Sequence, residues 1–557
     1  MGATVETKPW LVQKYGGTSL GKLLDTICST IIPKYNRDHD LIIVCSALSG
    51  TLKASGTTSL LLECISLAEL GIGTQKELIQ VMDLIKTNHL NVLDSFLRSP
   101  KHSHFENYED TATSIVNECE SIKNFLLAAQ VIGELSPRSK DRVIALGEKL
   151  ACIIVAACLT SIGIPAKAVF LDNIVASAFG AAIHDQLAAM ERLGSRFYHM
   201  IADEIPRYIR DCGPAIPIVT GFFGIMPDSL IQTVGRGYSD LCAAMCAVAM
   251  GAIELQIWKE VDGIFTADPR KVPSARLLST VTAEEATELT YYGSEVIHPL
   301  TMDQIQDASI PLRLKNVFKP DGHGTIIYPS VSPLTPGNPL GSLEKSGLAT
   351  PPSSFMLQNG YIGAKQERRK PTAVTVKDDI VLVNVVCNRN TKSHGFLAQV
   401  FDRLQRNKIS VDLVATSERH VSLAVQSPRD AGALWRLKEE FERFGQVAVA
   451  RNMAIVTVVG HNMRNMVGVS NETLSALASA QINIHLISQG ASEINISLVV
   501  SADEAIAAMN AIHRDVLQIP THKEQEDRFI PGKSTVATPA YMAMALSDKD
   551  ILGPWLY

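Results

Sequence analysis

A lysine, two glycines and two hydroxyls fall within six residues near the start of this 557-residue chain, as Lys14-Tyr15-Gly16-Gly17-Thr18-Ser19. Together they have the chemistry of a phosphate cradle: glycines let backbone N–H groups approach a phosphate, a helix N-terminus adds partial positive charge, and Lys14 supplies a full one. The same six residues also describe a plain strand-to-helix turn with an exposed lysine. A second candidate is Glu148, which interrupts a stretch, residues 142–161, that is apolar nearly all round at helical spacing. It is either on an exposed edge of the first turns or a buried acceptor for something cationic. A third is Val234-Gly235-Arg236-Gly237-Tyr238-Ser239-Asp240. A guanidinium between two glycines can hold a carboxylate or phosphate bidentately, whereas Ser239 and Asp240 also suit the N-cap and first turn of a helix over residues 241–252. The polar loop Lys259–Arg270 is of the kind that carries function, though a solvated loop is its default reading. His298, before Pro299, reads as structural.

These residues need elements to hold them. Residues 10–15 read as a strand and 19–32 as a helix, with apolar side chains at Leu20, Leu23, Leu24, Ile27 and Ile31. Strands follow at 41–44, 216–220 and 254–258, and helical patterns at 57–130, 142–161 and 284–289, with a polar interruption at 99–110. Alternating strands and helices predict a mainly parallel sheet between helices, with ligands at the carboxyl ends of the strands. Residues 330–370 are rich in Pro, Gly and Ser and read as a linker. Beyond it the chain repeats itself. Gly395 and Gly468 stand 73 residues apart, Ile409 and Val411 recur as Ile482 and Ile484 at the same spacing, and Val421–Val425 recurs as Ile496–Val500 at 75. Two copies of a small β-α-β-β unit result, and their sheet edges invite pairing between copies or chains.

Composition narrows the function. Hydrophobic residues at 46% and charged residues at 19% describe a globular chain of three or four units. A net charge of -6 argues against nucleic-acid binding. Ten cysteines form no C-x-x-C pair, and Cys152, Cys158, Cys242 and Cys246 lie in apolar runs, as buried thiols of a reducing compartment do. No signal-peptide pattern opens the chain and its apolar runs are short for a membrane span, so a cytoplasmic location without membrane attachment is expected. Gly16-x-x-x-x-Gly21-Lys22 satisfies most of a Walker motif, but Leu23 stands where a magnesium-holding hydroxyl belongs.

Lys14–Ser19, Gly235–Asp240, Val261–Arg270 and Tyr292–Pro299, in that order and followed by two ACT-like repeats, closely resemble the aspartate kinase family, and Trp258–Gly263 resembles its fungal branch. The resemblance covers nearly the whole chain. It implies an amino-acid-kinase domain at 8–330, the linker at 331–372, ACT domains of βαββαβ type at 373–453 and 454–528, and a tail at 529–557. It also implies ATP-dependent phosphorylation of the L-aspartate side-chain carboxylate, at the head of threonine, isoleucine and methionine synthesis. In that scheme Lys14 balances charge on the transferring phosphoryl group, and Gly16, Gly17 and Ser19 line the phosphates. Arg236 holds the substrate α-carboxylate and Glu148 its ammonium. Ser46, Phe223, Ser239 and Asp240 complete the pocket, Asp240 and Arg236 counting with Lys14 among the catalytic residues. Lys259, Glu260, Thr266, Asp268 and Arg270 cover the nucleotide, with Mg2+ carried mainly by the phosphates.

The first repeat resembles the effector-binding copy through His394, Gly395, Asp412, Thr416, Ser417 and Glu418, with threonine the expected effector and a homo-oligomer formed through the ACT domains. Two departures stand out: many relatives carry a lysine where this chain has Glu295, and Thr or Ser where it has Lys259, so Lys259 is expected to supply the missing nucleotide-side charge. Glu295 is also the one feature favouring an alternative, an amino-acid sensor on the same fold that no longer turns over.

Overall fold

The computed structural model describes residues 8–519 apart from 51–55, 98–107, 228, 236, 294–296, 330–369, 388–394, 418, 429, 444, 462, 464–465 and 491–493. Arg236, Glu295, His394 and Glu418 therefore lie outside the described residues, as do the tail and nearly all of the expected linker.

Among the described residues, β1 (Trp10–Tyr15), β2 (Asp40–Cys45), β3 (Ala166–Val169), β4 (Ile216–Thr220), β5 (Glu254–Lys259), β6 (Thr280–Thr282), β7 (Leu312–Asn316) and β8 (Thr325–Tyr328) form one sheet in the order β3-β4-β2-β1-β5-β7-β8-β6. The six strands from β3 to β7 are parallel, and β8 turns back antiparallel to β7. The turn at Lys319–Gly322 joins β7 to β8. Alternate strand residues feed two cores. Val12, Ile42, Val44, Val219 and Ile257 pack with the helix Tyr238–Met250 on one face. Leu11, Leu41, Ile43, Ile218 and Trp258 pack with Pro137–Ser161 and the helical hairpin Thr57–Glu69, Gln75–Leu97 and Tyr108–Ile132 on the other. A sheet buried on both faces favours apolar runs, which β2 and β4 supply, whereas β1, β5 and β7 also bury polar residues that pair with one another. The helix Pro137–Ser161 is long and apolar enough to cross a membrane by length and composition, and most of it is buried within the fold.

A second sheet follows, from β9 (Ala373–Cys387), β10 (Val411–Thr416), β11 (His420–Gln426), β12 (Gly445–Val459), β13 (Leu486–Ser488) and β14 (Asn495–Ser501), in the order β10-β11-β9-β12-β14-β13 and antiparallel throughout. The two repeats are not separate along the chain. The 15-residue strands β9 and β12 each run through both, so that Ala373–Lys377 pairs with Ile455–Val459 of the second copy while Gly445–Ala450 pairs with Leu382–Cys387 of the first. Each copy is completed by a strand half from the other.

Two contacts join the sheets. The helix Ala283–Tyr292, opened by a capping box between Thr282 and Glu285, leans its C-terminus on the second sheet, where Tyr292 packs with Ile380, Leu382, Leu413, Ile455 and Leu486. Glu285 accepts from the Thr372 hydroxyl at 2.5 Å and the His461 N–H at 2.8 Å. The second contact is the loop after β5, whose Ala267 and Val272 enter the core of the second repeat.

Candidate active site

Every described member of the site hangs on the carboxyl end of β4, β2, β1 or β5, four neighbouring parallel strands, or on a helix packed beside them. Lys14, the penultimate residue of β1, is nearly buried, and its ammonium lies 2.6 Å from Asp240 Oδ1. Lys259, at the end of β5, reaches the other oxygen, Oδ2, at 3.7 Å. Burial alone would raise the Asp240 carboxyl, but Lys14 and then Lys259 outweigh it and hold the acid below its ordinary value. Burial lowers Lys259, with Asp240 acting in the opposite direction. The two lysines give the site two ammonium groups that an incoming phosphate could meet, with Asp240 and Glu260 as their counter-charges.

The two glycines of the cradle have different jobs. A Cβ on Gly16 would meet nothing within 4 Å, so its backbone is open to a ligand. A Cβ on Gly17 would sit 2.0 Å from the Ala47 carbonyl oxygen, so that glycine lets the loop after β2 cross the helix start, a crossing tied by Ser49 N–H donating to Gly17 O at 3.0 Å. Gly21, the false Walker glycine, serves the same crossing, with Ser49 O 2.1 Å from where its Cβ would be. The helix begins at Gly17 with Gly16 extended as its N-cap, two residues earlier than the apolar spacing suggested. Ser19, buried just inside it, donates to Glu260 Oε1 at 2.6 Å.

Glu148 is 2% exposed, which excludes the reading on an exposed edge of its helix. Ser136 caps its helix by accepting from the Ser139 N–H. The carboxylate accepts the Phe222 N–H, yet burial outweighs this and pushes its pKa up to about 8. Ser46 and Ser239 hydroxyls are 3.0 Å apart. Ser239 is not an N-cap: Gly237, at φ 92°, caps the helix Tyr238–Met250. The Phe223 ring is fully buried against Tyr198, so it shapes the pocket wall from behind.

Other expected residues point elsewhere. Thr266 is buried with its hydroxyl 2.9 Å from His513 Nε2 in the second repeat, and it accepts the Arg276 N–H. It therefore faces the ACT contact rather than a nucleotide pocket. Asp268 and Arg270 pair with each other at 2.7 Å. In the first repeat, Gly395 opens the helix Phe396–Arg406 at the end of the sheet where Thr416 and Ser417 lie exposed. Asp412, toward the other end of β10, is held by Lys377 at 2.6 Å and by the Tyr291 hydroxyl at 3.2 Å.

One residue escaped the sequence reading. Asp141, two turns before Glu148 on the same helix, accepts from Ser229 Oγ at 2.7 Å and Leu230 N at 2.6 Å, and so caps the short helix Leu230–Thr233 that leads into the Val234–Asp240 loop. The seven-residue spacing between the two acids was the available signal.

Comparison with known proteins agrees with this geometry. Residues 9–316 match the amino acid kinase family and residues 456–516 an ACT domain. The aspartokinase of Saccharomyces cerevisiae is 42% identical over 93% of this chain and 94% of its own, and that of Schizosaccharomyces pombe 40% identical over 92% and 93%. Escherichia coli aspartokinase III, solved with lysine and aspartate, shares the fold at a TM-score of 0.63 and 22% identity, covering 91% of this chain and 99% of its own. By these matches the chain belongs to the amino acid kinase family and, within it, to the aspartokinases of the fungal kind.

Proposed function

We propose that this chain transfers the γ-phosphoryl group of ATP to the side-chain carboxylate of L-aspartate, giving 4-phospho-L-aspartate. The observation that carries the reading is the Lys14–Asp240–Lys259 group standing beside a buried acid, Glu148, in one pocket at the strand ends. The acceptor carboxylate is already ionised, so no general base is needed, and catalysis rests on positioning and charge. Lys14 neutralises charge growing on the transferred group, with Asp240 fixing its ammonium. The open backbone at Gly16 receives the phosphates. Glu148 takes the substrate ammonium, Arg236 its α-carboxylate, and Ser46 and Ser239 the remaining polar edge.

Magnesium would neutralise the β- and γ-phosphates. Among the described residues no three His, Cys, Asp or Glu side chains stand together as a metal site, and Asp240 and Glu260 are engaged by Lys14 and Ser19. The ion would therefore ride mainly on the nucleotide. Aspartate-dependent ADP release tests the reaction: it should appear in the wild type and fall about 100-fold or more in Lys14→Ala. No aspartate-dependent ADP from the wild type would instead favour the sensor reading.

Threonine is the effector we propose for the ACT pair, acting from the cytoplasm on a homo-oligomer joined through these domains. The wild type should lose activity with threonine and not with lysine or methionine. Equal inhibition of the wild type and an Asp412→Ala, Ser417→Ala double variant would remove the first repeat as the site.

A further inference from the structure

Tyr291 belongs to the kinase half, yet its hydroxyl ends on a carboxylate of the first repeat. We propose that the effector site of the ACT pair is shared with the kinase domain: the Tyr291 hydroxyl holds Asp412 while the enzyme is active, and the ammonium of an amino-acid effector takes that carboxylate from it. The inference rests on the reading of the first repeat, with Asp412, as the effector site.

Asp412 is built to receive one more donor. Its side chain is 4% exposed, and both of its protein donors share one oxygen. Lys377 Nζ lies 2.6 Å from Oδ1, and the Tyr291 hydroxyl donates to the same atom at 3.2 Å. Oδ2 is buried and has no hydrogen-bond partner among the described residues. A buried acceptor without a donor costs free energy, which a donor recovers, the more so when the donor is charged. An ammonium brings three N–H groups and a full charge. The two resident donors are unequal. Lys377 is a cation in short contact on β9, steadied by the Tyr291 ring, whose centre lies 4.8 Å from its Nζ. The Tyr291 hydroxyl is neutral and distant, on a side chain 48% exposed. When the carboxylate divides its two oxygens between two cations, the phenol is the donor that yields.

Tyr291 and Tyr292 close the helix Ala283–Tyr292, and the other ties of that helix end are all to the second sheet. The Tyr292 carbonyl accepts from Thr375 Oγ1 of β9 at 3.2 Å, and Glu288, one turn earlier, accepts from Asn495 Nδ2 of β14 at 2.5 Å. Gly293 follows, so close to β9 that a Cβ would lie 2.5 Å from Thr375 Oγ1. Farther along the chain, His298 Nε2 is 2.9 Å from Val234 O, and its ring packs on Gly237, the N-cap of the helix that carries Ser239 and Asp240. The helix end thus stands between Asp412 and the loop that sets Asp240 on Lys14. Effector and docked helix compete for one carboxylate, and by linkage each weakens the other's hold.

Tyr291→Phe removes the hydroxyl and keeps the ring that faces Lys377 and Tyr292. Inhibition of aspartate-dependent ADP release by threonine is read for each protein against its own uninhibited rate. The half-inhibiting threonine concentration should fall about fivefold in Tyr291→Phe, the scale of one hydrogen bond of ordinary strength. Asp412→Asn should raise it about tenfold, by removing the charge that the ammonium meets. Adding Tyr291→Phe to Asp412→Asn should then change it by no more than about twofold, because the hydroxyl has already lost its charged partner. An unchanged or raised concentration in Tyr291→Phe overturns the proposal. So does an equal fall in both backgrounds, which marks a loosened joint rather than a contest for Asp412. The underlying reading fails separately: if threonine inhibits Asp412→Asn as it does the wild type, or inhibits neither, Asp412 is no part of a threonine site and both fall. If Asp412→Asn loses sensitivity while Tyr291→Phe behaves as wild type, only the shared site fails.

Discussion

Asp240 carries two lysines, and the way they share it distinguishes their work. Lys14 makes the short contact at 2.6 Å and is nearly buried, whereas Lys259 stands off at 3.7 Å with its side chain 22% exposed. In the proposed reaction the longer, more exposed contact of Lys259 suits a nucleotide phosphate and the short, buried one of Lys14 the transferring group. Lys259→Met should therefore raise the KM for ATP by about tenfold, the scale of one charge-assisted contact, with a smaller change in the KM for aspartate. Unaltered ATP kinetics would show that Lys259 does not replace the charge absent at Glu295. At this scale residue type and spacing singled out Lys14 and Asp240, which the fold brings together, whereas Glu148 stood between two readings until its burial was known. The sequence was less readable where one type serves two ends. Gly16 and Gly17 look identical in sequence, and only the Ala47 carbonyl lying where a Gly17 Cβ would be shows that one faces open space and the other faces the chain.

The helix Pro137–Ser161 gathers several of these requirements in one element. Asp141 and Glu148 project toward the loops after β4, while Gly147 lies against the loop after β2. In an exposed helix interior, replacing glycine with alanine stabilises by about 1 kcal/mol. Here a Cβ would fall 2.8 Å from Ala47 Cβ and 3.1 Å from Thr57 Cγ2, so the sign reverses. Gly147→Ala should lower stability by about 1–3 kcal/mol, read from denaturant midpoints, and weaken aspartate binding by pushing the Ser46 loop away from Glu148. Stabilisation would mean that the loop yields freely. The helix itself was legible from its apolar run. Its neighbours in the sheet were less so. Gln13 donates to Gln256 at 2.9 Å, Gln256 to Glu254 at 2.8 Å, and Arg313 pairs with Glu254 at 2.8 Å, a fully buried polar ladder across β1, β5 and β7. Polar residues like these obscure a strand pattern because the partners that satisfy them lie far away in sequence, and β7 was missed for that reason.

Across the whole molecule, the loop after β5 joins the candidate site to the second repeat, because one end of it carries Lys259 and Glu260 and the other enters that repeat's core. The joint is Thr266 with His513, whose other ring nitrogen lies 3.4 Å from Ser274 Oγ. Sequence could place Thr266 on a functional loop but not say which way it faces, since the deciding partner is 247 residues away. Nor could it show that β9 and β12 thread both repeats, because strand patterning does not reveal which halves pair. Burial, and secondarily Arg276, lower the His513 pKa to about 4. An unfolded histidine titrates near 6.5. Between those values the folded state binds fewer protons, so stability is fully present above about pH 6.5 and is lost as pH falls toward 4. Buried His89, also lowered to about 4, adds the same sign from the helical hairpin of the kinase half. His513→Gln isolates the joint, because glutamine can still bond Thr266 but cannot titrate. From pH 7.5 to 5.5 the melting temperature should fall further in the wild type than in His513→Gln, and activity should fall with it, since the joint anchors the loop that begins at Lys259. Parallel pH profiles for the two proteins would mean that acid acts elsewhere.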